Sequence, residues 1–106
     1  MTYDRELAEH VRELVGDRPD VTERRMFGGL AWLVNGNMAI VARGQGGLML
    51  RLDPADHENA LNLPGAEPTI MRGREMRGWI GVARPGPDLA TWVDRGIGYA
   101  STLPPK

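Results

Sequence analysis

The chain has no cysteine. That excludes disulfides, zinc–thiolate sites, iron–sulfur clusters and a cysteine nucleophile. Its only serine is Ser101 and its only lysine is Lys106. Ser101 has no base near it in the sequence for nucleophilic chemistry. The missing lysine excludes a P-loop, which needs one directly after its glycines. Charge of one sign is also lacking: 13 basic and 14 acidic side chains leave a net charge of −1. No overall field therefore draws the protein to nucleic acid or membrane. No apolar run approaches the roughly 20 residues of a membrane span. The opening MTYDRELAEHV is charged where a signal peptide would be apolar. The expected compartment is the cytoplasm, with no membrane partner.

Glycine and proline are abundant, at 14 and 8 in 106 residues. They imply many tight turns between short elements. The length fits one domain, residues 1–106, able to bury a core without a metal. Leu7, Val11, Leu14 and Val15 recur at helical spacing, with Thr2 as the expected N-cap and Gly16 as the stop. Arg24 to Phe27 and Leu30 to Val34 read as one strand running in a single direction, bent at Gly28-Gly29. Asn35-Gly36 is a strong type I′ hairpin signal, so Asn37 to Ala42 returns, and Leu48 to Leu52 follows. Asp53 and Pro54 open a short second helix. Pro68 to Met71 and Gly78 to Ala83 read as two further strands. Leu89, Trp92, Val93, Ile97 and Ala100 share one face of a last helix, in which Gly96 and Gly98 suit a close backbone approach. The expectation is an α+β domain, helix–three strands–helix–two strands–helix, with an antiparallel sheet packed by helices.

A two-residue hairpin loop fixes a register in which Trp32 faces Ala39 and Ala31 faces Ile40. One face then carries Leu30, Trp32, Val34, Ala39 and Val41, and the other Ala31, Leu33, Met38 and Ile40. A sheet with one solvated face alternates apolar with polar residues, and this hairpin does not. An uncovered apolar face marks an interface. Leu30, Trp32, Val34, Met38 and Ile40 are therefore the candidate protein interface, and a homodimer is the favoured partner state.

The other candidates carry weaker chemistry. Gly28, Gly29, Asn35 and Gly36 are structural turns, since no lysine or helix completes a phosphate cradle around them. Asp53 and His57 stand four apart on a helix, but no third ligand is evident, so neither metal nor cofactor is expected. Arg24, Arg25, Arg72, Arg74 and Arg77 would form an anion or nucleic-acid patch if the two groups met in space. The competing reading is solvated edge charge that discourages sheet-to-sheet association, and it is favoured. No catalytic residue is assigned and no enzyme is expected.

Arg25-Met26-Phe27-Gly28-Gly29-Leu30-Ala31, followed by Val34-Asn35-Gly36-Asn37-Met38, resembles the signature of the TfoX/Sxy N-terminal domain family. Met76-Arg77-Gly78-Trp79-Ile80-Gly81-Val82, Leu89-Ala90-Thr91-Trp92-Val93 and the ending Leu103-Pro104-Pro105-Lys106 fit the same family. The resemblance implies a fold like that of the secretion chaperones, many of which are dimers. It also implies kinship with regulators of natural competence that act with the cyclic-AMP receptor protein at promoters. Those longer relatives carry a second, C-terminal helical domain, and this chain reads as a short stand-alone member. The family supplies no catalytic residues to carry over. The functional expectation is a non-enzymatic protein-interaction and regulatory module. The alternative is a nucleic-acid-binding accessory using the arginines.

Overall fold

The computed structural model describes residues 3–26 and 28–106; Met1, Thr2 and Phe27 lie outside the described residues. Helix α1 spans Arg5–Val15. Its cap is Asp4, whose carboxylate accepts the Leu7 N–H at 3.1 Å, so the helix begins beyond Thr2, the expected cap, which is among the residues not described. A carboxylate there also complements the positive end of the helix dipole. Ala8, Val11 and Val15 are buried, whereas Leu14, expected in the stripe, is 44% exposed. Gly16 ends the helix with φ +66°.

Strands β1 (Val21–Met26), β2 (Gly29–Val34), β3 (Asn37–Ala42), β4 (Leu48–Arg51), β5 (Ala66–Met71) and β6 (Arg74–Val82) form one antiparallel sheet in the order β1-β2-β3-β4-β6-β5. A 3-10 turn at Pro54–Asp56, capped by Asp53, leads into α2 (His57–Leu61). A second such turn at Gly86–Asp88 leads into α3 (Leu89–Ser101). The α+β class and the helix-packed antiparallel sheet hold. Four strands precede α2, however, not three.

The extra strand comes from Gly28-Gly29. Met26 pairs with Gly29 and Val21 with Val34, so β1 and β2 run antiparallel. The chain reverses at Gly28, with φ +73°, rather than bending and continuing. Adjacent glycines permit either geometry. β1 itself, VTERRM, is a mostly exposed edge strand and lacks the apolar alternation that would announce it. Gly29 is required for a different reason. A Cβ there would stand 2.3 Å from the Ala42 carbonyl oxygen.

The second correction is the β2–β3 register. Val34 pairs with Asn37 and Leu33 with Met38, as expected, but Trp32 then pairs with Ile40 and Ala31 with Val41. Ala39 is an extra residue, and such a bulge sets two successive side chains on one side. Ala39 and Ile40 both enter the main core. That core joins Leu30, Trp32, Val34, Leu50 and Ile80 to α1, α2 and α3. α3 lies close over the bulge at Gly96, where a Cβ would meet the Ala39 oxygen at 3.1 Å. Gly98, expected to act similarly, faces open space.

The third correction is at the far edge. β5 and β6 form a hairpin turning at Arg72 (φ +53°) and Gly73 (φ +76°). Both central residues have the positive φ of a type I′ turn. Arginine is an unusual first member, which hides the turn in the sequence. The tail closes the opposite end: Lys106 donates its N–H to the Asn35 carbonyl at 2.8 Å, and the Asn37 side chain donates to the Pro104 carbonyl at 2.9 Å.

Candidate functional site

All three helices contribute to the main core, which leaves the other sheet face to the strands. Ala31, Leu33 and Val41 are buried there as a second apolar cluster, with Met26, Met38 and Met49 half-buried around them. Every member of this cluster is a strand residue. The expected interface residues fall on both faces, as the strand alternation implies, and the bulge moves Ile40 from one face to the other. Leu30, Trp32, Val34 and Ile40 lie in the helix-packed core, and Met38 lies on the helix-free face. Without the bulge, Ile40 would stand beside Met38; with it, Val41 does.

The two arginine groups are not brought together. Arg24 and Arg25 are exposed on β1, at one edge of the sheet, while Arg72, Arg74 and Arg77 are exposed on the β5–β6 hairpin at the other. Arg77 is tied to Glu58 at 3.2 Å. Gly28 and Gly36 sit in turns with positive φ, as does Asn35 at +50°.

His57 serves the backbone. Its ring is buried, and Nδ1 accepts the Gly78 N–H at 2.9 Å. That bond assigns the remaining ring proton to Nε2, which donates to Glu75 Oε2 at 2.6 Å. Among the described residues no group of three His, Asp or Glu side chains gathers as a metal site. The Ser101 hydroxyl is spent on the Ile97 carbonyl of its own helix, at 2.7 Å.

A cleft of about 490 Å³ runs between α1 and β1. Arg12 crosses it, donating to both Glu23 oxygens at 2.8 and 2.9 Å and to Glu9. The Arg12 hydrogen bonds hold the Glu23 carboxyl below its ordinary range, with a smaller contribution from the Trp32 indole. The same Glu23 bonds raise the Arg12 guanidinium further above its already high value. The arrangement is a strut between helix and strand.

The family profile described as TfoX N-terminal domain matches residues 13–99 of this chain. The chain belongs to the TfoX N-terminal domain family. No curated protein and no solved structure matches it. At family level this TfoX domain is regulatory or competence-related in kind, and the family is not a known enzyme family. No helix among the described residues of the TfoX domain is long and apolar enough to cross a membrane.

Sequence reasoning passed over Met26, Met49, Arg43 and Thr69. The methionines could have been found from the repeated Met on strands that are otherwise aliphatic. Arg43 follows a buried strand and precedes the turn Gly44-Gln45-Gly46-Gly47. Its side chain is only 17% exposed, donating to the Gly46 carbonyl at 3.0 Å and to Glu67 Oε1 at 3.2 Å.

Proposed function

We propose that this TfoX domain is a non-enzymatic regulatory module that acts as a homodimer and recognises its protein partner through the helix-free face of the sheet. The observation that carries this reading is the pair of half-buried methionines, Met26 and Met38, on a face whose buried cluster of Ala31, Leu33 and Val41 is built from strand residues alone. A second copy meets the β1–β3 half of that face. A twofold axis makes one patch serve both partners, so no second complementary surface is needed. Unbranched, polarisable methionines suit such contacts because they adapt to the partner's shape.

Light scattering over a range of concentrations tests the dimer. The expected result is a concentration-dependent dimer for the natural sequence and a monomer for the double variant Met26→Lys with Met38→Lys, which keeps its circular dichroism because both side chains are half-exposed. A natural protein that stays monomeric at every concentration ends the homodimer reading.

A second reading, contact with nucleic acid, draws support from one feature. Arg72 and Arg74 are exposed on a two-stranded ribbon beside exposed Ile70 and Met71, and ribbons of this kind can enter a duplex groove. Arg24 and Arg25 lie too far across the sheet order to join them. Binding to duplex DNA at low salt, weakened by Arg74→Gln, would support this reading. No binding at low salt rejects it, because phosphate contacts are strongest there.

A further inference from the structure

The helix-free face is concave at its β5 end. A cavity of about 380 Å³ is lined both by Val41 of β3 and by residues 68–72 of β5 and its turn. β4 and β6 stand between those strands in the sheet, so the sheet curls to bring them across a common hollow. The volume falls in the range of small-molecule sites, roughly 300–1,000 Å³.

Three features of the hollow are built rather than incidental. The first is a seat for Arg43. A Cβ on Gly47 would stand 2.7 Å from Arg43 Nη2, and one on Gly81 2.9 Å from Nη1, so the two glycines leave the slot that the guanidinium occupies. The second is Thr69. It is 9% exposed, lines the hollow, and its hydroxyl has no hydrogen-bond partner among the described residues. A buried hydroxyl without a partner costs free energy that a ligand can recover. It arises where the β5–β6 ladder is interrupted. Between the pairs Pro68–Ile80 and Ile70–Glu75, only Thr69 stands on β5. The third is the balance of the lining. Val41 belongs to the second cluster and Met49 packs against it, while Ile70, Met71 and Arg72 line the hollow and are exposed. Arg43 engages Glu67, and no carboxylate stands among the described residues that line the hollow.

We infer that this hollow binds a small carboxylate with an apolar body. The carboxylate accepts from the Arg72 guanidinium and the Thr69 hydroxyl, and the apolar body lies over Val41 and Met49. Arg43 keeps donors beyond the two it has committed and holds the local charge positive. Charge-assisted bonds are the stronger kind. An inorganic anion would leave the apolar floor unused, and a neutral chain would leave the Thr69 hydroxyl and Arg72 without their acceptor. This inference does not rest on the partner reading, although Val41 belongs both to the second cluster and to the floor of the hollow.

The test uses the full chain with octanoate as the probe, followed by amide NMR shifts and calorimetry. Octanol supplies the body without the charge, and acetate the charge without the body. Octanoate is expected to bind saturably, with shifts at Val41, Met49, Thr69 and Ile70, and about tenfold more tightly than either control. Arg72→Asn, which suits the positive φ of that position, is expected to weaken octanoate about tenfold or more. Thr69→Val removes only the hydroxyl and is expected to weaken it about fivefold while leaving the spectrum folded. The inference is overturned if octanoate gives no saturable shift at those amides, if octanol binds as tightly, or if Arg72→Asn binds octanoate unchanged. Light scattering reads the dimer separately, so the two proposals fail independently.

Discussion

His57 is the residue whose role depends most on its surroundings. Between the pairs Pro68–Ile80 and Ile70–Glu75, β6 carries Met76 to Trp79 with only Thr69 across from them. The Gly78 N–H is therefore left without its ladder acceptor, and the His57 ring supplies one. Replacing His57 with Leu is expected to cost about 1–3 kcal/mol, since it leaves that buried N–H unpaired. Urea denaturation measures the loss. Gly29 makes a sharper case. Its Cβ position, 2.3 Å from the Ala42 oxygen, is occupied by backbone that cannot swing aside. Gly29→Ala is expected to destabilise by about 3 kcal/mol or more, against about 1 kcal/mol for Gly28→Ala, where positive φ is the only penalty. Comparable losses for the two in thermal melts would remove the distinction between clash and strain.

At the scale of elements, α3 carries two glycines with opposite expectations. Gly98→Ala should raise stability by about 0.5–1 kcal/mol, because the helix gains propensity and the new methyl meets nothing within 4 Å. Gly96→Ala should lower stability, because its methyl would press on the Ala39 carbonyl and Ile40 at 3.1 Å. A chemical melt of each variant decides both signs. α1 is joined to β1 by the Arg12–Glu23 pair. The folded Glu23 carboxyl titrates below its unfolded value, with hydrogen bonding by Arg12 as the main cause. A lowered carboxylate pKa stabilises the fold above the unfolded value and loses that contribution as pH falls through the folded one. Both side chains are more than a third exposed, so solvent screening limits the pair to no more than about 1 kcal/mol. Glu23→Gln should therefore be less stable than the natural sequence near neutral pH. The difference should vanish in acid, as paired urea melts at the two conditions would show.

At the scale of the whole molecule, the sheet separates two apolar regions of different character. One is closed by helices and includes Trp32, Trp92 and Ile97. The other is strand-only and methionine-rimmed, and it opens at one end into the hollow beside Thr69. The edges are managed differently. β1 carries Glu23, Arg24 and Arg25, charges that discourage pairing with another sheet. β5 carries Pro68 and an interrupted ladder, which discourage it as well. The tail is held against the Asn35-Gly36 turn. Asn37→Ala, which removes the bond to the Pro104 carbonyl, should cost about 1 kcal/mol and increase amide exchange at Lys106. Unchanged exchange at Lys106 would show that the tail does not depend on that side chain.

The sequence by itself determined the α+β class, α3 with its buried face, the capped turn at Asp53 and the Asn35-Gly36 reversal. Each follows from local rules, namely apolar periodicity, a capping carboxylate and a pair of residues that tolerate positive φ. It also carried the family signature around Met26 to Asn37. Tertiary structure alone decided that Gly28 reverses the chain, because a polar edge strand such as β1 becomes recognisable only once β2 lies beside it. It alone decided the faces of β3, because one extra residue at Ala39 transfers Ile40 to the helix side and Val41 to the other. The hollow was likewise beyond the sequence. Arg43, Gly47, Thr69 and Gly81 belong to different strands and turns, and only the curl of the sheet gathers them around one space.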